Sequence, residues 1–527
     1  MIRSNRRSIA LLVFIILTLS GFSSADVRLP SVIGDNMVLQ QGMEVPIWGW
    51  ADPCEQVTVT ANWGSEKWEA TAGQDGRWLV KIQPPRLLVE DKSGGGPYEM
   101  NISGKNTLSL KNILVGEVWV CSGQSNMEWP LSRADNAGQE VNEANYPQIR
   151  LFTVGRKVSY TPMKNCRGSW KVCNPQSAVA FSAVGYFFGR ELHKELNVPI
   201  GLIKAAVGGT PVESWMSREY LEADADFQPI LRRYEETAAH FPELYRKYQL
   251  EKKNYQRMAG QMKREGKPVP QRPDFQEPIG PNHPYSPTGL YNGMIIPIIP
   301  KGIRGVIWYQ GESNAGRAEQ YRTLFPAMIK NWREKWGHGD FPFLYVQLAN
   351  WQQAEPLPKE NDWAELREAQ LMTLSVPNTG MAVAIDIGDA NSIHPTNKQD
   401  VGKRLALWAL AKTYNKDVVY SGPLYKYMGV EGNKAILHFD HVNGGLIVKG
   451  GEQLKGFAIA GQDKKFLWAD AKVEGDTVVV SSDKVVEPVA VRYGWAINPV
   501  CNLYNKAGLP ASPFRTDDWP GLTDKQR

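Results

Sequence analysis

Four short polar blocks in this 527-residue chain hold residue types suited to acyl transfer. They are Cys121-Ser-Gly-Gln-Ser125-Asn-Met-Glu-Trp-Pro130, Val207-Gly208-Gly209-Thr210-Pro211, Gln310-Gly-Glu312-Ser-Asn314 and Asp386-Ile-Gly-Asp389-Ala-Asn-Ser-Ile-His394-Pro. Each directly follows an apolar run. Cleavage of an ester by serine needs a hydroxyl that loses its proton as it attacks, a base to take that proton, and donors aimed at the oxygen that becomes negative. Ser125 on a strand-to-helix turn suits the attack and His394 the base. Backbone N–H groups near Ser125 and Gly208, with the amide of Gln310, suit the oxyanion, each worth about 3 kcal/mol in the transition state.

Every one of these residues also has a plainer reading. Ser125 suits a helix cap, Gly208-Gly209 a tight turn, and Gln310-Gly-Glu312 the start of a polar loop whose carboxylate pairs with Arg317. His394 stands out among the seven histidines. His193 falls inside a helical pattern, His240 in a polar insertion, His338 in a Gly-flanked turn, and His438 and His441 in a late β-rich region, leaving only His283, in a Pro-rich stretch, as a competitor. Thr396-Asn-Lys-Gln399 has the spacing of a capping box, which would anchor the loop that carries His394.

The elements that must position these blocks alternate between strand and helix. Glu117 to Val120, Ile200 to Ala206, Gly305 to Tyr309, Phe343 to Leu348 and Met381 to Ile385 are strand-like. Ser182 to Leu196, Glu319 to Trp336, Trp363 to Leu374 and Asn397 to Tyr414 are helix-like. That alternation implies an α/β fold, a parallel sheet with helices on both faces, whose strand ends gather the blocks at one edge. The catalytic α/β unit spans 113–417, with a polar helical insertion at 219–267. Short strands with turn signals on either side predict a β-sandwich over 26–112 and a second β-rich, sandwich-like unit over 418–527.

Apolar residues form 42% of the chain and charged residues 22%, the balance of a globular protein. Arg3, Arg6 and Arg7, the apolar run Ile9 to Leu19 and Ser23-Ser24-Ala25 have the layout of a secretory signal peptide, cleaved near Ala25, with a periplasmic or extracellular destination. Without residues 1–25 the formal charge falls from +5 to +2, and no basic stripe points to nucleic acid. Cys54, Cys121, Cys166, Cys173 and Cys501 lack zinc-site spacing, and an odd count leaves at least one thiol free or paired between chains; Cys166 and Cys173 are either a local bridge or buried thiols. No metal, no organic cofactor and no membrane span in the mature chain are expected.

Gly123-Gln-Ser-Asn-Met127, Trp308-Tyr-Gln-Gly-Glu-Ser-Asn314 and Ile393-His-Pro-Thr-Asn-Lys398 resemble the motif blocks of the sialate O-acetylesterase family, within the SGNH-hydrolase superfamily. Leu290-Tyr-Asn-Gly-Met294 and Val207-Gly-Gly-Thr-Pro211 fit the same pattern. The resemblance covers about residues 113 to 415. It implies an SGNH-type, flavodoxin-like sheet, with Ser125 as nucleophile, His394 as general base, Gly208 and Gln310 as oxyanion donors, and an acetylated sialic acid or other acetylated glycan as substrate. Many members of the superfamily have Asp three residues before the histidine; here Asn391 stands there. The orienting group is therefore Asp386, Asp389, or a backbone carbonyl in a Ser/His dyad. Gly-x-Ser-x-Gly of the α/β-hydrolases is absent, because Met127 replaces its second glycine.

Three other readings remain open at this level. One is an esterase of acetylxylan or another polysaccharide. Another is a glycosidase with two carboxyls drawn from Glu128, Glu213 and Glu312. The last is a non-catalytic sugar-binding protein, suggested by the flanking β-rich units and 18 tryptophans, of which Trp129, Trp215 and Trp308 border the blocks.

Overall fold

A computed structural model describes residues 26–87, 95–275, 277–451 and 453–527. The expected signal peptide lies outside the described residues. The organising element is the 17-residue strand Thr107–Gly123, which runs through the centre of an eleven-stranded mixed sheet. Along the main path the order is Thr379–Val383, Phe343–Gln347, Gly305–Tyr309, Thr107–Gly123, Ile200–Ala206, Tyr146–Thr153 and Trp170–Cys173. All neighbours are parallel except the last pair. Gly305–Tyr309 and Phe343–Gln347 are buried at every position, as strands covered on both faces must be.

The chain builds outward from Thr107–Gly123 first to one side and then to the other. The carboxyl end of that strand is therefore the topological switch point, where open α/β sheets leave a crevice. Gly123 pairs with both Ala206 and Tyr309, so three strands end level. The loops carrying Ser125, Gly208 and Gln310 leave from that one line.

Helices Ala183–Leu196, Ala318–Trp336, Asp362–Met372 and Lys398–Lys412 match the expected segments within a few residues. The first starts on Ser182, whose Oγ accepts the Gly185 N–H at 3.0 Å, and ends on Asn197 in the left-handed region. The start of the last helix differs from expectation. Asn397, not Thr396, is the cap, accepting from the Asp400 N–H at 3.1 Å and donating to the Asp400 carboxylate at 2.8 Å. An amide followed by Asp three residues on does the work of the Thr/Gln pair, shifted by one residue.

The expected boundary at 112/113 falls within a strand. Thr107–Gly123 passes through it, with Asn112 at φ 56. Its first half pairs with Tyr98–Ser103, which continues to Gln56–Ala61 and Lys67–Thr71, while Val45–Trp50 and Arg77–Ile82 form a separate pair. The 219–267 insertion is helical, with helices Arg218–Ala223, Gln228–Ala239 and Phe241–Arg264. Tyr146–Thr153 was not foreseen, because Pro147, Gln148 and Arg150 interrupt the apolar pattern, and neither was the four-residue strand Trp170–Cys173. Beyond residue 418, antiparallel sheets enclose a second core that includes Leu437, Phe457, Val478, Val480, Val491 and Tyr493.

The late β-rich unit is riveted to the sheet by Arg367, a fully buried side chain. Its guanidinium donates to the carbonyls of Leu348 and Ala349 on one side and Ala496 and Ile497 on the other, at 2.6 to 2.9 Å. All five cysteines are unpaired, and burial pushes the thiols of Cys166 and Cys173 up to about 11 and about 12. Among the described residues no helix is long and apolar enough to cross a membrane.

Candidate active site

Gly123 sets the turn that presents Ser125. Its φ is 133, and a Cβ there would lie 2.2 Å from the Tyr309 carbonyl oxygen, so only glycine fits between the strands. Ser125 then opens a single helical turn, Ser125–Glu128, whose cap position is Gln124. The hydroxyl is therefore not a helix cap; Ser125 Oγ lies 2.8 Å from His394 Nε2, the distance of a nucleophile donating to its base. Residues 269 apart in sequence meet because their strands end at the same edge.

The imidazole is held by its neighbours. Its ring stacks on Trp129, with centroids 5.2 Å apart and planes 23° apart, and the Arg133 guanidinium covers the indole at 3.9 Å. The Trp129 indole N–H donates to the Arg133 carbonyl. Burial lowers the His394 pKa from its usual value, and the charges of Lys398 and Arg133 lower it further. A base shifted this way stays neutral into mildly acidic solution. The acid limb of kcat/KM is accordingly expected to have its midpoint below 6.5, and Arg133→Ala to move it upward by removing one cation; a pH–rate profile of both proteins checks this.

No hydrogen-bond acceptor meets His394 Nδ1 among the described residues. Asp386 is committed elsewhere: Arg404 grips it bidentately at 2.6 and 2.8 Å, and the Tyr504 hydroxyl donates at 2.9 Å. Those partners, against the desolvation that opposes them, hold its carboxyl below the usual range. Asp386 is thus a structural acid joining the sheet to the late β-rich unit. Asp386→Asn is expected to lower stability by about 3 kcal/mol, since Arg404 would be left buried and unmatched, without moving the acid limb of activity; chemical denaturation beside a pH–rate profile tests both halves. Asp389 accepts the Asn391 N–H at 2.8 Å and makes no hydrogen bond to the imidazole.

Gly208 lies beside Ser125: a Cβ on it would sit 3.3 Å from Ser125 Cβ. Its N–H donates to Glu128 Oε2 at 2.7 Å. The Ser125 N–H has no acceptor among the described residues. Gln310 departs from expectation. It is fully buried, its amide hydrogens go to Asn314 Oδ1 at 2.6 Å and the Thr210 carbonyl at 3.3 Å, and its oxygen accepts from Tyr321 at 2.9 Å. In this arrangement the amide has no donor left for an oxyanion, and it acts as a strut between two loops.

Sequence reasoning missed the polar group beneath the serine. Asn126 is 2% exposed; its Nδ2 donates to Glu312 Oε1 at 2.6 Å and to the Ile393 carbonyl at 3.0 Å, and its Oδ1 accepts from Lys398 Nζ at 2.6 Å. One amide therefore ties the serine turn to both sides of His394. Burial raises the Glu312 pKa and lowers that of Lys398 to about 7. All three lie inside the motif blocks, but nothing in residue type reveals that they are buried together. Glu213 is likewise committed, paired with Arg317 at 2.6 Å and Asn314 at 2.9 Å, so Arg317 does not pair with Glu312 as the plainer reading had it.

A mixed, mainly parallel sheet with its crevice at the switch point, where Ser125 and His394 meet, has the form of an α/β esterase unit. The family model for carbohydrate esterase, sialic acid-specific acetylesterase matches residues 115–246 and 285–411. Mouse sialate O-acetylesterase is 30% identical over 96% of this chain and 97% of its own length, and the human protein 29% over 94% of each. A carbohydrate acetylesterase from Xanthomonas citri superposes with a TM-score of 0.77 and 39% identity, covering 94% of this chain and all of the other. The chain belongs to the carbohydrate esterase, sialic acid-specific acetylesterase family.

Proposed function

We propose that the protein is an exported O-acetylesterase that removes acetyl groups from the hydroxyls of sialic acids through a serine acetyl-enzyme, on an SGNH-type catalytic unit. The observation that carries the reading is the 2.8 Å contact between Ser125 Oγ and His394 Nε2. Ser125 attacks the acetyl carbonyl as His394 takes its proton. The imidazolium then protonates the departing sugar oxygen, and the regenerated base activates water to release acetate. His394 acts in a dyad, its ring fixed by Trp129 and its loop by Asn126. The Ser125 and Gly208 N–H groups receive the oxyanion. Because Glu128 holds the second donor in the free enzyme, its carboxylate turns away as the acetyl group enters.

A cavity of about 250 Å³ beside Gly209 supports an acidic sugar as the substrate. It is lined by Glu213, Arg233, Tyr285, Ser313 and Arg317 among others, and Ser313 Oγ donates to the Gly209 carbonyl at 2.7 Å. Glu213 neutralises Arg317, and Arg233, on the helical insertion, donates to the Arg527 main-chain oxygen, so a sugar carboxylate entering here takes Arg233 over from that bond. Mass spectrometry of products from O-acetyl sialic acid and from acetylxylan is the test. Faster release from the sialic acid is expected; equal rates defeat the sialate assignment, and faster release from acetylxylan transfers it to plant polysaccharide. The basic, apolar and small-residue order of the first 25 residues supports export.

A further inference from the structure

A second cavity system lies where the loop after Phe343–Gln347 meets the late β-rich unit. Two adjoining cavities, of about 190 and 320 Å³, share Gly456 and Trp468 as walls. Trp468 is 44% exposed, on the short edge strand Leu467–Trp468, and its indole N–H donates to the Pro356 carbonyl at 2.8 Å. That bond fixes the ring while leaving much of it open to solvent. The smaller cavity is also lined by Glu360, Lys464 and Trp495. Trp495 is 7% exposed and its Nε1 has no acceptor among the described residues; Glu360 Oε2 is likewise unmatched, although Oε1 accepts from Arg492 at 2.7 Å. A fixed indole surface beside an unused N–H donor and an unused carboxylate oxygen matches the two faces of a pyranose, C–H groups on one and hydroxyls at the rim.

The seam is tied to the catalytic edge. Trp351 bridges to Asp389, the Gly388 N–H donates to Asn350 Oδ1 at 2.7 Å, and Asn350 Nδ2 donates to Asn498 Oδ1 at 2.8 Å. The loop forming one wall and the loop carrying His394 leave adjacent parallel strands at the same end.

We infer that this seam is a second carbohydrate-binding subsite, in which Trp468 stacks on a pyranose ring of the glycan other than the acetylated one. The inference takes its ligand class from the esterase reading, and its test separates the two. The full chain is titrated with lactose and with sialyllactose, neither carrying an acetyl ester, and followed by calorimetry; acetate release from a small acetate ester is measured in parallel. Saturable binding of at least one sugar is expected, weakened about tenfold or more by Trp468→Ala, partly retained by Trp468→Phe, and unchanged by Ser125→Ala. Hydrolysis of the small ester is expected to be the same in Trp468→Ala and the parent. Absence of binding by both sugars, or binding indifferent to Trp468→Ala, overturns the subsite, as does loss of small-ester hydrolysis in Trp468→Ala. A parent that binds sugar but releases no acetate leaves the subsite standing and removes the esterase reading.

Discussion

Ser125→Ala is expected to lower kcat for acetate release by about 10⁴-fold or more, with KM little changed. Removing the nucleophile of a serine hydrolase leaves only the contribution of binding and oxyanion donors, and members of such a unit are strongly non-additive. His394→Ala should therefore fall by a similar factor, and the double variant should be no worse than either single one. The 2.8 Å contact is the reason: each group is useful only through the other. Steady-state kinetics on the three variants is the measurement. Quenched parent enzyme should carry acetyl on Ser125, found by peptide mass spectrometry. Independent, multiplying losses would separate the two residues into different roles, and a Ser125→Ala protein with activity within tenfold of the parent would rule out the acetyl-enzyme.

Asn126→Ala carries the second large effect, on both rate and stability. The amide links the serine turn to the Ile393 carbonyl one residue before His394, and it also partners Glu312 and Lys398. Its loss leaves a carboxylate oxygen and an ammonium group buried without that partner, for an expected cost of about 3 kcal/mol. It also frees the histidine loop to drift, and displacement of a reacting group by about 1 Å can cost about a hundredfold in rate. A fall in kcat of that size with KM nearly constant, together with a lower denaturation midpoint, is the expected pair of results. A lower midpoint with unchanged kcat would make Asn126 a packing residue only.

The rival glycosidase reading finds little support in the placement of its acids. Glu128 lies on the Gly208 N–H and Glu213 is locked to Arg317 and Asn314. Glu312 is buried with a raised pKa, but its Oε1 accepts from Asn126 beneath the serine. Each of these acids serves a local bond, and none is paired with another across an open site.

Strand and helix periodicity made the catalytic unit legible, because strands covered on both faces must be continuously apolar and their helices must show a stripe. The four blocks at strand ends were readable for the same reason: topology sends those ends to one edge. Tyr146–Thr153 escaped because a strand broken by proline and arginine carries no such pattern. The cap of the last helix was off by one, since Asn397 and Thr396 are both good caps and only the backbone path chooses between them.

By itself, then, residue order placed Ser125, Gly208, Gln310 and His394 after strands of one parallel sheet, where a serine and a histidine at a common edge suit ester chemistry. Tertiary structure decided how each side chain spends its hydrogen bonds. Gln310 turned inward because Asn314, Thr210 and Tyr321 satisfy it fully, and Asp386 turned to Arg404 because a buried guanidinium needs a matching carboxylate. Those partners lie from 4 to 100 residues away, and a buried polar group takes whichever partner removes the most desolvation cost. Residue type and spacing alone do not rank the competitors.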